Sequence, residues 1–185
     1  GGLIGGFLAC SFLIVRNKVD YLTAADAGAP ALSIGYCLGR IGCFLVGDDY
    51  GRPTDAWFGV AFPKGAPPTT ADSLRDFGVA IDPSIPGSAV LRVHPTQLYE
   101  SAAALIMFLI LIRLNKRPHH RGLAFGLFCI LLGIERFLVE IVRAKDDRFF
   151  GSFTVAQIIS VILVIAGFVL VARSRNQRVI AQAAA

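Results

Sequence analysis

The sequence predicts an all-α integral membrane protein with a mixed extracytoplasmic region, and three observations predict it. Of its 185 residues, 55% are hydrophobic and only 17% charged. With a mean hydropathy of +0.63, the chain is more apolar than a soluble domain of this size can conceal from water. The apolar residues gather into runs long enough to cross much or all of a bilayer. The basic residues stand beside those runs: Arg16 and Lys18 after the first, Arg113, Lys116, Arg117 and Arg121 between two later ones, and Arg173, Arg175 and Arg178 after the last. The net charge of +5 therefore reads as membrane topology. Nucleic-acid binding would call for a basic stripe with interleaved aromatics.

Five apolar segments follow in order. Residues 1–15, GGLIGGFLACSFLIV, carry glycines suited to close helix packing. They start abruptly without an initiator Met, and their basic residues come after the apolar stretch, unlike a signal peptide, so upstream sequence is expected. Residues 30–46, PALSIGYCLGRIGCFLV, place Arg40 in a Gly-rich stretch that reads as a packed or broken helix. Residues 47–93 are punctuated by GDDYGRPTD, PKGAPP and DPSIPG and form the main extramembrane region, with a few short strands expected around WFGVAF. The third segment starts at HPTQLYE, with Pro95 suited to a first helical turn, and ends at the polar connector NKRPHHRG. Residues 123–142 and 153–171 are the fourth and fifth segments, separated by RAKDDRFFGS, and only the fifth is a nearly uninterrupted spanning signal. Alternating crossings put each strong basic cluster inside and residues 47–93 outside. Residues 1–172 are thus one membrane domain interrupted by that insertion, and 173–185 a basic, then small-residue cytoplasmic tail.

Cys10, Cys37, Cys43 and Cys129 lie in apolar segments without a CxxC pair or a compact Cys/His set. They read as packing residues, and neither a disulfide framework nor a metal site is expected. Cys43, three residues after Arg40, is placed to approach it on a helix. The stretch GRIGCFLVGDDYG lacks the ending of a P-loop and the spacing of a dinucleotide fingerprint. Its glycines read as turn and close-approach residues at the membrane boundary.

Ionisable side chains at membrane depth are costly unless paired, hydrated or facing a polar cavity. Arg40, Glu100, Glu135, Arg136, Glu140 and Arg143 lie in or at the ends of apolar segments and are the main functional signal. Spacings of four and three put Arg136, Glu140 and Arg143 on one helical face, and Glu135 points about 100° away from Arg136. Two arginines framing a carboxylate would make a cationic pocket able to hold phosphate oxygens bidentately; a purely structural Arg136/Glu140 pair is the competing reading. Gly39 and Gly42 bracket Arg40 and would let a backbone or lipid headgroup come close. His94, before Pro95, stands at a helix entrance where it could exchange a proton, bind a headgroup or fix the loop. Gln97, Tyr99 and Glu100 follow; Glu100 is suited to pair with a buried arginine, and Tyr99 to anchor at the interface. His119 and His120 read as ordinary connector residues, and Trp57 as lipid-interface contact.

Four motifs, the opening GGLIGG, GRIGCFLVGDDYGRPTD, HPTQLYE and GIERFLVEIVR, occur in this order across nearly the whole chain and resemble those of the prolipoprotein diacylglyceryl transferases. The resemblance implies a multi-pass protein of the bacterial plasma (inner) membrane with seven transmembrane helices, about five of them in this chain. Its active site would face the outer leaflet and its C-terminus the cytoplasm. The implied reaction moves the diacylglyceryl group of phosphatidylglycerol to the lipobox cysteine thiol of a preprolipoprotein and releases glycerol phosphate. The implied partners are phosphatidylglycerol, preprolipoprotein signal peptides and membrane lipids, with no cofactor or metal. Arg40 resembles the essential arginine of the family's glycine-rich signature, Arg136 the essential arginine of the later helix, and Glu140 its acidic partner; these three are the expected catalytic residues. Gly39, Gly42, Cys43, Asp48, Gly51, His94, Gln97, Glu100 and Arg143 are expected to line or support the substrate site.

The chain departs from the family pattern at Cys43 and Val46, where asparagines are usual, at Asp48 for Glu, and at Leu132 for Tyr. A family histidine implicated in proton transfer would fall before Gly1. A thiol at position 43 supplies a weak donor but not an amide's paired donor and acceptor. Two readings follow: a divergent transferase, or a paralogue kept as a lipid-binding scaffold or lipid transporter. A covalent product on an acceptor cysteine separates them.

Overall fold

The computed structural model describes residues 1–144, 148–150, 153–175 and 179–180. Its helices are α1 (Gly2–Arg16), α2 (Tyr21–Val46), α3 (Ala71–Asp76), α4 (Thr96–Asn115), α5 (Leu123–Val142) and α6 (Val155–Ser174). Two short antiparallel pairs join β1 (His119–His120) to β4 (Val179–Ile180) and β2 (Arg148–Phe150) to β3 (Phe153–Thr154). The parts of the basic tail at 176–178 and 181–185, and connector residues 145–147, lie outside the described residues. The protein is an all-α membrane protein whose body is α2, α4, α5 and α6: α2 packs on α4, both pack on α5, and α5 packs on α6.

Helices α2, α4 and α6 are long and apolar enough to cross a membrane. Helix α5 has the length, 20 residues, but carries Glu135, Arg136 and Glu140, whose charge breaks its apolar signal. Helix α1, at 15 residues, is shorter and exposes Phe7, Leu8 and Phe12. Five helices thus occupy the five apolar segments, with one substantial correction. The second segment begins at Tyr21, nine residues before the expected boundary at Pro30, and is a 26-residue helix with Pro30 inside it.

Proline inside a helix leaves the carbonyl four residues earlier without its donor. Here that carbonyl belongs to Asp26, and the Asn115 side chain at the end of α4 donates to it at 2.7 Å. The carboxylate of the same residue, 1% exposed, accepts from the backbone N–H groups of Gly122 and Phe125 at 2.6 and 2.8 Å. It therefore caps the start of α5, whose first N–H groups have no helical partner. Asp26 ties α2, α4 and α5 together at one end of the bundle. His119, read from sequence as an ordinary connector residue, is buried there with Nε2 3.8 Å from Asp26.

Helices α5 and α6 meet through glycines. A Cβ on Gly167 would stand 2.6 Å from the Gly126 carbonyl oxygen, and one on Gly133 2.7 Å from that of Ser160. This is the small-residue contact by which helices associate where apolar burial gives no advantage over lipid. Cys37 and Cys129 are packing residues as expected, whereas Cys10 is exposed on α1.

Residues 47–93 form a compact cap with its own core. Tyr50, Leu74, Val93 and Ala144 are buried against Phe62, Phe77 and Leu91. In place of strands around WFGVAF there are isolated bridges, Pro53 and Val60 each to Val93 and Thr70 to Val90, together with the short helix α3. Trp57 is 88% exposed on the cap surface, as an interfacial residue would be.

Replacing Asp26 by alanine strands two buried N–H groups, so Asp26→Ala should cost about 1–2 kcal/mol. Thermal unfolding of the purified protein in detergent measures it. An unchanged transition would show that α5 does not depend on this cap.

Candidate active site

The opposite end of the bundle is built from the C-terminal ends of α2 and α5 and the first turns of α4. Gly47 ends α2 with φ of 73°, its N–H bonded to the Cys43 carbonyl. A Cβ there would stand 2.9 Å from the Phe62 ring. Two residues on, Asp49 also has a left-handed φ of 53°, a conformation that aspartate tolerates better than most residues. The first residues of α4 fix this turn. Thr96 Oγ1 donates to the Asp49 carbonyl at 2.8 Å, and Gln97 Nε2 donates to that of Asp48. Gly51 then threads between neighbours: its N–H bonds to the His94 carbonyl, and a Cβ would be 2.7 Å from both the Val142 oxygen and His94 Cβ.

That turn aims the Asp49 carboxylate at two arginines, and a closed ring of charges results. Arg40 of α2 reaches Glu100 of α4 with Nε 2.8 Å from Oε2, and its Nη2 donates to Oε1 at 3.0 Å. Arg136 of α5 donates to the same Oε1 at 3.2 Å, and its Nη2 lies 3.0 Å from Glu140. Arg143 stands 3.7 Å from Glu140 and pairs with Asp49. Asp49 closes the circuit by accepting from Arg40 at 3.0 Å. Three arginines and three carboxylates alternate, so no ring charge is left unpaired, as a low-dielectric site demands. Tyr36, one turn before Arg40, donates to Glu100 at 3.1 Å, and its ring lies under the Arg40 guanidinium.

The carboxylates of Glu100 and Glu140 are 2% and 3% exposed, against 13% for Arg40 and 22% for Arg136. These two acids lie beneath the guanidiniums of Arg40 and Arg136, while Asp49, 40% exposed, stands at the rim. Arg40 and Arg136 both open into a cavity of about 370 Å³ between α2, α5 and α6, whose other walls include Leu32, Phe128, Leu132 and Leu163. Burial alone would raise the Asp49 carboxyl, but Arg143 and Arg40 outweigh it and hold the group below the ordinary carboxylate range.

The structure brings together Arg40, Arg136, Glu140, Glu100 and Arg143 from the residues singled out in sequence. Cys43 lies beside them, its sulfur 3.7 Å from Arg40. Gln97, fully buried, and Gly51 hold the backbone of the site without facing the cavity. His94 is off the ring, its Nδ1 3.1 Å from the Tyr99 hydroxyl. Gly39 and Gly42 have no protein atom within 4 Å of a Cβ position, so among the described residues they leave open space beside Arg40 and do not pack closely. Asp48, matched by position to a family acid, makes none of the ring's ion pairs, its carboxylate lying beside that of Asp49 and the Cys43 thiol. Asp49 takes the place in the ring, and sequence reasoning missed it. It also missed Tyr36, although the spacing of four from Arg40 placed the two on one face. Cys43, Asp48 and Asp49 are close enough together to suggest a metal site, but both Asp49 oxygens already hold arginines.

The sequence profile of the family described as Prolipoprotein diacylglyceryl transferase matches residues 1–173. The chain is 34% identical over 184 residues to a Stenotrophomonas maltophilia protein named Phosphatidylglycerol--prolipoprotein diacylglyceryl transferase, covering 97% of this chain and 62% of that protein. Proteins of the same name from Xanthomonas axonopodis pv. citri and Xanthomonas campestris pv. campestris are each 35% identical, with the same coverage. The chain thus spans about three-fifths of the length of the curated relatives it matches.

Because its carboxyl is held low by arginines, Asp49 stabilises the fold fully above the ordinary carboxylate pKa, and the contribution is lost as pH falls through its lower folded value. The wild type should therefore lose stability below about pH 4. Asp49→Asn should begin less stable at neutral pH and lose less on acidification. Superimposable acid limbs in thermal unfolding would show that the arginines do not hold Asp49.

Proposed function

The chain belongs to the prolipoprotein diacylglyceryl transferase family, and from that premise we propose that its arginine ring transfers the diacylglyceryl group of phosphatidylglycerol to the cysteine thiol of a preprolipoprotein lipobox. The single observation that carries this reading is the cavity into which Arg40 and Arg136 open together. It offers two fork-shaped cations and walls that are mostly apolar, aliphatic and aromatic, along the rest, the polarity of one anionic phospholipid. Guanidinium forks match phosphate oxygens bidentately, and acyl chains fit the apolar wall.

The chemistry follows from where charge develops. The acceptor sulfur attacks the glycerol carbon bearing the phosphate ester, a C–S bond forms, and the C–O bond breaks toward phosphate. Negative charge then grows on the leaving glycerol phosphate. Arg40 and Arg136, fixed in advance by Glu100 and Glu140, stabilise it without rearranging. The nucleophile belongs to the acceptor, so no cysteine of this chain is consumed. The basic residues support an orientation: Arg16, Lys18, Arg113, Lys116, Arg117, Arg121 and Arg173 cluster at the Asp26 end of the helices, which is then cytoplasmic, and the ring faces the outer leaflet of the bacterial inner membrane. The C-terminus is on the cytoplasmic side.

Reconstitution of the protein as its gene encodes it, with phosphatidylglycerol vesicles and a lipobox peptide, tests the reading by the mass of a diacylglyceryl group added to the peptide. Arg40→Gln and Arg136→Gln should each lower turnover by about 10²-fold or more. Arg136→Lys, which keeps the charge and loses the fork, should also be impaired. Reversible lipid binding without a covalent product would establish a scaffold instead, and lipid movement without an acceptor a transporter.

A further inference from the structure

The ring's own anions decide how a ligand can reach its cations. Arg40 turns its Nε and Nη2 side to Glu100, while Nη1 donates to Asp49 at 3.0 Å and lies 3.7 Å from the Cys43 sulfur. The end-on fork of Nη1 and Nη2 is the face left to grip two oxygens of one phosphate, and Asp49 blocks it at Nη1. Arg143 gives its Nη2 to the same carboxylate. Asp49 thus sits between two guanidiniums as an external anion would, with one oxygen on each.

Of the ring's three acids, only Asp49 can leave without stranding a buried charge. Glu100 and Glu140 are almost fully buried, and parting either from its arginines leaves a carboxylate unpaired inside the bundle. Asp49 stands at the rim, where water solvates it on release. Its backbone need not move. The carbonyls of Asp48 and Asp49 are held by Gln97 and Thr96, and the Asp49 side chain borders a hollow of about 210 Å³, lined also by Tyr50, Pro67 and Phe77, in which it has room to turn. Asp48, whose carboxylate lies within 4.8 Å of that of Asp49, supplies no counter-charge there, so Asp49 stays on the arginines until another anion takes them. We propose that Asp49 is a resident competitor: it holds the anion position between Arg40 and Arg143 in the closed ring, and the phosphate of phosphatidylglycerol binds by exchanging with it. The proposal rests on the transferase reading for the identity of the ligand. The same carboxylate returns as glycerol phosphate leaves, so the neutral ring re-forms and rebinding of the product is opposed.

Calorimetric titration of the detergent-solubilised protein, as its gene encodes it, with inorganic phosphate tests the exchange without turnover. Asp49→Asn should bind phosphate about 3- to 10-fold more tightly than the wild type, the range expected for two partly exposed ion pairs. Asp48→Asn removes the same charge close by and frees no arginine, so it should gain much less. Equal gains in the two variants would be an effect of net charge and overturn the exchange. Weaker binding by Asp49→Asn, as for an acid that only positions the arginines, overturns it too. A crystal structure of the wild type with phosphate follows the event without a substitution: Asp49 should be off Arg40, and Asp49 still on Arg40 beside a bound phosphate overturns the proposal. In the active protein, Asp49→Asn should lower KM for phosphatidylglycerol by the same factor as it tightens phosphate; tighter phosphate with unchanged KM overturns the lipid as the exchanging ligand. Tighter phosphate binding in a protein that forms no diacylglyceryl product counts against the transferase reading and leaves the exchange standing. Product formation with equal phosphate affinities in wild type and Asp49→Asn does the reverse.

Discussion

Glu100 lies 2% exposed in a bundle that spans a membrane, where a lone carboxylate would be prohibitively costly. It is held there by Arg40 from α2, Arg136 from α5 and the Tyr36 hydroxyl. Because one anion is shared by cations from two other helices, α2, α4 and α5 cannot slide or rotate independently without stranding a charge. The fixed separation of the two arginine forks, the cavity they open into and the placement of Glu140 follow from that constraint. Glu100 is thus a structural anchor whose cost is offset by two ion pairs and a hydrogen bond, and it sets the geometry in which the arginines meet a ligand.

The ring as a whole is neutral, and this shapes what can bind to it. On the proposed function, a phosphate would find the guanidiniums already paired and would have to use donors left over from the ring or displace one carboxylate. The members are not equivalent in this respect. Asp49, 40% exposed, is the one that water can solvate on release, whereas Glu100 and Glu140 have nowhere to go. The left-handed turn at Asp49 therefore places the replaceable acid at the solvent edge and leaves the permanent acids beneath the arginines.

Much of this was legible in the sequence where the signal was local. Spacings of four and three put Arg136, Glu140 and Arg143 on one face, and the structure pairs them in that order. Glu100 was recognisable as a partner for a buried arginine, though not as the partner of two, because the approach of α2 to α5 is a tertiary fact. Asp48 was expected at the site and Asp49 was not, since which of the two reaches the arginines is set by left-handed backbone at Gly47 and Asp49 and by Thr96 and Gln97, distant in sequence. The start of α2 was placed too late because proline usually marks a boundary, and the compensating donor, Asn115, lies 85 residues further on. Gly39 and Gly42 suggested the close approach of a backbone or a lipid headgroup, and composition alone does not choose between them; among the described residues no neighbouring element lies against either.

Asp26 and the ring occupy the two ends of the same helices. A 20-residue helix is about 30 Å long, so a tilt of one degree at the Asp26 end moves the far end by about 0.5 Å. Misplacement by about 1 Å is enough to cost catalysts heavily. The clasp that Asp26 makes with Asn115, Gly122 and Phe125 is thus the fulcrum of a lever, and it sets the angle at which α4 presents Glu100 to the arginines. Residues that touch nothing in the site, and face the other side of the bilayer, hold its aim.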